Sequence, residues 1–222
     1  MRWIRTQLTR AWSRRSRRRS LKVGFRGAAS QLKLSPLDRP STQRPPRLRQ
    51  VRYRVATSLD GYIAGPRGEI DWIVSDPTVD FTAIYAQFDT VLLGRHTYAL
   101  TQQPGAPAWP RDWRVFVFSR TLKPADHPGI TIVHDDAGQT VAALRAEVGR
   151  DIWLFGGGQL FSSLLSLHLI DAIELAVMPI LLGTGIPLVD AIGHRPRLTL
   201  TQVDSSPKGI VNLRYRVADA AG

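Results

Sequence analysis

Residues 152–160 read Ile152-Trp153-Leu154-Phe155-Gly156-Gly157-Gly158-Gln159-Leu160, and the fold class turns on this run. Its four apolar residues closed by glycine have the length and composition of a buried strand, while Leu160 to Leu169 continues with a helical apolar pattern. A strand that feeds a helix through glycines is the building unit of an α/β sheet. Missing side chains let an anion reach the backbone, and the first helical amides offer it unpaired donors and the positive end of a dipole, so the turn suits a pyrophosphate. The same glycines would equally serve a tight, closely packed turn with no ligand. The dinucleotide fingerprint G-x-G-x-x-G is not met, because Phe161 holds its last position and the turn comes late in the chain; both points argue against a typical Rossmann domain.

Working outward, strand and helix patterns alternate. Val51 to Thr57, Thr90 to Leu93, Val115 to Phe118, Ile130 to Val133 and Ile173 to Pro179 read as strands, and Leu198 to Val203 with Ile210 to Val217 as a closing antiparallel pair. Phe81, Ile84, Tyr85 and Phe88 recur at helical spacing, as do Val141, Leu144 and Val148. Gly61 to Gly68 reads as a loop. The alternation predicts an α/β sheet, mixed but mostly parallel, covered by helices on both faces.

Three more strand ends carry groups suited to a nucleotide. Leu92-Leu93-Gly94-Arg95-His96-Thr97-Tyr98 presents Arg95 and the Thr97 hydroxyl, and Val117-Phe118-Ser119-Arg120 again delivers a hydroxyl and an arginine. The guanidinium fork donates paired hydrogen bonds to phosphate. Thr57-Ser58-Leu59-Asp60-Gly61-Tyr62-Ile63-Ala64 ends the first strand, and a Gly/Pro loop then leads to Ile70-Asp71-Trp72. That loop has the makings of a lid that Trp72 would seal against water, although Asp60-Gly61 is also an ordinary turn dipeptide. Each end alone is commonly a solvated terminus. Together they fit one cofactor lying across the carboxyl edge of a sheet, and the two spare arginines favour a 2′-phosphate, hence NADPH over NADH.

Composition sets the remaining bounds. The 222 residues carry a net charge of +12, but residues 1–50 hold 13 Arg and 2 Lys against Asp38, so the rest of the chain is at −2. Only residues 1–50 have an electrostatic reason to meet nucleic acid. This Arg-, Ser- and Pro-rich stretch is predicted to be a disordered extension, with the folded domain spanning 51–222. It fits an organellar targeting segment, a nucleic-acid or membrane-surface tail, or upstream sequence translated in error; the last fits best with the abrupt start of the domain at Val51, since a valine codon can initiate in bacteria. With no cysteine, disulfides, thiolate nucleophiles and Cys-ligated metals are excluded. The five histidines lack H-x-x-x-H spacing, and no metal site is expected. No apolar run approaches the roughly 18 residues of a membrane span, and a soluble, cytoplasmic protein is expected.

The ordered set Ser58 to Ala64, Leu93 to Tyr98, Phe118 to Arg120, Gly156 to Leu160 and Pro179-Ile180-Leu181-Leu182-Gly183-Thr184-Gly185 resembles the RibD C-terminal reductase domain, a family similar in fold to dihydrofolate reductase. The resemblance covers nearly all of 51–222. It implies a largely eight-stranded mixed sheet with antiparallel C-terminal strands, NADPH as hydride donor, and a homodimer. By position it implies that Gly94, Arg95 and Thr97 form the adenine-side phosphate turn, that Ser119 and Arg120 hold the 2′-phosphate, and that Gly156, Gly157, Gly158, Gln159 and Leu160 form the pyrophosphate loop. Ala56 and Ile63 would flank the nicotinamide, and Asp60 would lie near the substrate.

Two departures bear on the reaction. Dihydrofolate reductases place an acid on their first long helix, where this chain reads Trp72-Ile73-Val74-Ser75-Asp76-Pro77-Thr78-Val79-Asp80 without a clean match, and Ala176 stands where those enzymes have a backing threonine. The zinc signature of the upstream deaminase domain found in bifunctional riboflavin enzymes is absent from this sequence. The expectation is an NADPH-dependent reductase of a small heterocyclic or ribosyl substrate, as in riboflavin biosynthesis, with Asp60 or its rival Asp76 orienting substrate or relaying the proton. Dihydrofolate reduction and a nucleotide- or nucleic-acid-binding module working through the basic extension are the alternatives.

Overall fold

The computed structural model describes residues 48–103, 106 and 108–218. The expected extension therefore lies outside the described residues up to position 47, while Leu48 to Gln50 are described. In chain order the elements are β1 (Val51–Ser58), β2 (Tyr62–Ala64), α1 (Phe81–Tyr85), β3 (Phe88–Gly94), α2 (Arg95–Thr101), β4 (Arg114–Phe118), β5 (Thr131–Val133), α3 (Ala137–Ala146), β6 (Asp151–Gly156), α4 (Gly158–Ser166), β7 (Ala172–Met178), β8 (Ile186–Pro187), β9 (Leu198–Ser205) and β10 (Val211–Val217). Eight strands form one sheet in the order β5-β4-β3-β6-β1-β7-β10-β9, and β2 pairs with β8 separately. The sheet is parallel from β5 to β7, and β10 and β9 close it antiparallel.

Successive strand residues point to opposite faces, so the register defines two cores. Phe116, Leu92, Leu154, Tyr53 and Ile173 stand in one row across five strands. They pack with Val141 and Leu144 of α3 and with Phe161, Leu164 and Leu165 of α4 in the first core. On the opposite face Val91, Leu93, Val115, Val117 and Trp153 pack with Ile84 of α1, Phe88, Tyr98 of α2 and Trp113. Each fully buried Leu, Val or Phe in these rows contributes about 1.5–3 kcal/mol relative to exposure.

The second core stops at β6. Beyond it, the same face continues onto Arg52 of β1, which pairs in register with Trp153, and onto further charged residues of β7 and β10. No helix among the described residues packs over that half of the face, and it floors a cavity instead.

The structure corrects four sequence readings. Phe88 does not continue the helical face: α1 ends at Tyr85, and Phe88 opens β3 opposite Asp151, packed against Trp113 and Trp153. Val148 does not share a face with Val141 and Leu144; it is fully exposed, because the chain leaves the helix at an extended Glu147 to turn into β6. The Gly61 to Gly68 stretch is not all loop, since Tyr62–Ala64 pairs with Ile186–Pro187. The sheet is not covered throughout either. All eight residues of β9 are exposed, because after β7 the chain returns through an antiparallel hairpin, with no crossover helix to cover that edge.

Candidate active site

A cavity of about 1480 Å³ opens along the carboxyl ends of β1, β3, β4 and β6 and over the uncovered floor of β1, β7, β10 and β9. Sites for one small ligand usually enclose about 300–1,000 Å³, so there is room for two partners. Tyr85, Trp109, Trp153 and Phe155 make an aromatic wall, with Trp109 edge-on to Phe155 at 5.2 Å and Trp153 to Phe155 at 5.4 Å between ring centroids.

The twelve residues that the resemblance assigns to the cofactor all line this one cavity: Ala56, Ile63, Gly94, Arg95, Thr97, Ser119, Arg120 and Gly156 to Leu160. Gly156 has φ +145, a conformation open to glycine, and its peptide with Gly157 is cis. A Cβ on Gly158 would come within 2.7 Å of the Pro187 carbonyl, so a side chain there would push the β8 segment off the start of α4. Helix α4 begins behind Gly157 with no side-chain cap, which leaves its first amides for an anion. Arg95 and Arg120 are exposed on the rim. Ser119 is buried, and its Oγ accepts from the amides of Thr121 at 3.2 Å and Leu122 at 3.1 Å; its hydroxyl therefore also fixes the turn that aims Arg120.

The expected acids separate. Asp60 lies outside the cavity lining. Its carboxylate accepts from the Ser58 hydroxyl at 2.6 Å, the Gly183 amide at 2.7 Å and the Leu182 amide at 3.1 Å, so it ties the end of β1 to the loop after β7. The Ser58 hydroxyl, with the two amides prevailing over partial desolvation, holds its carboxyl down at about 2. Asp76 does line the cavity and is 3 % exposed. Its Oδ1 accepts from the Thr78 hydroxyl at 2.7 Å and the Thr78 amide at 2.9 Å. Its Oδ2 is sealed from solvent without a well-formed hydrogen bond. Thr78 first, then the neighbouring Ser206, hold this carboxyl below its ordinary range. Trp72 is likewise outside the lining, its indole donating to the Glu69 carbonyl at 3.0 Å; Ile70, Ile73 and Val74 present the lid segment's apolar side to the cavity in its place.

Sequence reasoning missed the floor. Arg54, Glu174 and Arg214 line the cavity, and no motif marks them. The one available signal was a glutamate in the middle of the apolar run Ala172 to Met178, which a buried strand tolerates only when the charge is paired.

The chain matches the family model described as RibD C-terminal domain over residues 49–212. It is 33% identical to the uncharacterized protein YyaP of Bacillus subtilis over 178 residues, 75% of this chain and 94% of that one. A crystal structure from Shewanella sp. PV-4, provisionally named a riboflavin biosynthesis protein, superposes with a TM-score of 0.67 at 27% identity, covering 77% of this chain and 99% of that one. A dihydrofolate reductase from Enterococcus faecalis, solved with NADP(H) and RAB-propyl, superposes with a TM-score of 0.54 at 16% identity over 77% of this chain and 97% of that one. The last likeness is one of fold, and the eight-stranded, mostly parallel sheet is of the dihydrofolate reductase kind.

Proposed function

The chain belongs to the RibD C-terminal domain family, and on that premise we propose that it is an NADPH-dependent reductase of a C=N or C=O bond in a small heterocyclic or ribosyl substrate, in the manner of 5-amino-6-(5-phosphoribosylamino)uracil reduction. The observation that carries this reading is convergence. Arg95, Arg120 and the Gly156 to Leu160 turn come from three different strand ends and line one cavity, where an uncapped helix start and two exposed guanidiniums suit a pyrophosphate and a further phosphate.

In this reading the first amides of α4 take the pyrophosphate, and Gly94 and Thr97 pack beneath it. Arg95 and Arg120 hold the 2′-phosphate, the latter aimed by Ser119. When bound, NADPH supplies the hydride. Ala56 and Ile63 leave room for a flat ring at the floor, and the aromatic wall with Ile70, Ile73 and Val74 excludes water. Holding the two reacting carbons about 3–3.5 Å apart is then the chain's main contribution. With Asp60 committed to the backbone, Asp76 is the expected acid that lines the cavity, and in this reading it orients the substrate or relays the proton.

Asp76 also favours the second reading, dihydrofolate as substrate, because a carboxylate held ionised in the cavity lining matches an amino-heterocycle. Ala176, in the floor, supplies no hydroxyl where dihydrofolate reductases have a threonine. Turnover of dihydrofolate by the purified protein would select that reading, and absence of turnover would exclude it.

The cofactor assignment is tested by titrating the protein with NADPH and NADH while following tryptophan fluorescence. Arg95→Ala with Arg120→Ala is expected to weaken NADPH about 10–100-fold and NADH far less, as loss of charge-assisted phosphate contacts dictates. Equal losses for both nucleotides would contradict it.

A further inference from the structure

Arg54 of β1, Glu174 of β7, Arg214 of β10 and Gln202 of β9 stand in one register row across four neighbouring strands, and the next row along is Ala56, Ala176, Asn212 and Asp204. Every one of these side chains lines the cavity. The two alanines leave an open, flat floor. The row beside it is charged.

Glu174 is 4 % exposed and pairs with Arg54 Nη1 at 2.7 Å, Arg214 Nη2 at 2.7 Å and Arg52 Nη2 at 2.6 Å. Burial alone pushes its carboxyl up, but the three guanidiniums outweigh that and keep it ionised. Arg52 also reaches Asp151 at 3.2 Å. For Arg54 and Arg214, Glu174 is the one acid paired among the described residues, and Asp204, one row away, is exposed and accepts from Gln202 at 2.6 Å. Two cations thus share a carboxylate already taken by a third. Each guanidinium has five N–H donors in a rigid fork, and each gives one nitrogen to Glu174. Glu174, standing between them in the row, holds both guanidiniums at the cavity, which lowers the entropy lost when an oxyanion is gripped.

We propose that Arg54 and Arg214, braced by Glu174, form an anion-binding fork at the substrate end of the cavity, and that the substrate carries an acidic substituent, a carboxylate or a phosphate, close to the bond reduced. Residues two apart on a strand are about 6.5–7 Å apart, so the acid lies about one ring's width from a heterocycle seated over Ala56 and Ala176. Glu174 is a positioning residue. Arg54 and Arg214 determine specificity. The inference rests on the reductase reading for the identity of the other occupant.

The test uses protein saturated with NADP⁺, which fills the other phosphate-binding positions, and measures calorimetrically the binding of inorganic phosphate, orotate and uracil. Orotate is uracil bearing a carboxylate, so that pair isolates the acid, and phosphate against orotate separates the two sources of the oxyanion. Wild-type protein is expected to bind at least one of the anions about tenfold or more tightly than uracil. Arg54→Gln and Arg214→Gln should each abolish that preference while changing NADP⁺ affinity little, as expected for lost charge-assisted hydrogen bonds. Should either variant fold poorly, the wild-type comparison of orotate with uracil stands by itself. Anion binding no better than uracil in the wild type, or preserved in both variants, overturns the fork. Failure of NADP⁺ to bind at all would instead fall on the reductase reading, and the phosphate titrations of wild type and variants would still decide the fork.

Discussion

Asp60 shows how a residue can sit in a family motif and yet act at a distance from the cavity. Its carboxylate joins Ser58 to the amides of Leu182 and Gly183, and it is ionised down to about pH 2 against an ordinary 3.8. A folded-state value depressed below the unfolded one gives stabilisation that is complete above the unfolded value and is lost as pH falls through the folded one. Asp60→Asn is therefore expected to lower Tm at pH 6, with the difference from wild type closing between about pH 4 and pH 2. A gap that is constant across that range would show that the charge plays no part. Asp60 is visible in the sequence as an acid beside a turn, but the two amides it meets lie more than 120 positions away, beyond any local pattern. Arg95, Arg120 and the three glycines were legible for the opposite reason: each sits at a strand end, where chemistry and local structure coincide.

At the level of elements, strands announced themselves through apolar runs, and their ends were less visible. Val148 follows the helical period yet is fully exposed, because periodicity carries no information about where a chain must turn back. Register was not legible at all, and the Arg54, Glu174 and Arg214 row exists only through register. The start of the domain carries a similar lesson. Arg49 precedes the expected boundary at Val51, yet is 4 % exposed. It donates to the Arg150 carbonyl at 2.6 Å and the Thr90 hydroxyl at 2.6 Å, and pairs with Asp89, so it ties the starts of β3 and β6 together. A chain beginning at Val51 is expected to be less stable to urea than one beginning at Leu48 by about 2–4 kcal/mol, because Asp89 loses its buried partner. Equal midpoints and slopes for the two would remove Arg49 from the fold.

For the whole molecule, the α/β class was readable from the alternation of elements, while the half-covered sheet was not, since it depends on the closing hairpin. That hairpin leaves Leu198, Leu200 and Val203 of β9 exposed at 43 %, 49 % and 57 %, in register with Val217, Tyr215 and Leu213 of β10, of which Val217 and Tyr215 pack against the first core. If the chain forms the homodimer that the family resemblance implies, this strip is the face that a second copy is expected to cover. Sedimentation should give twice the chain mass for the wild type and the single mass for Leu198→Lys with Leu200→Lys; a monomeric wild type would contradict it. Among the described residues no helix is long and apolar enough to cross a membrane. The central claim is that separate strand ends grip one nucleotide, and a crystal structure of the NADPH complex tests it most directly. The pyrophosphate is expected on the amides that open α4, the 2′-phosphate between Arg95 and Arg120, and the nicotinamide over Ala56; a nucleotide bound elsewhere, or contacting none of these three groups, would contradict it.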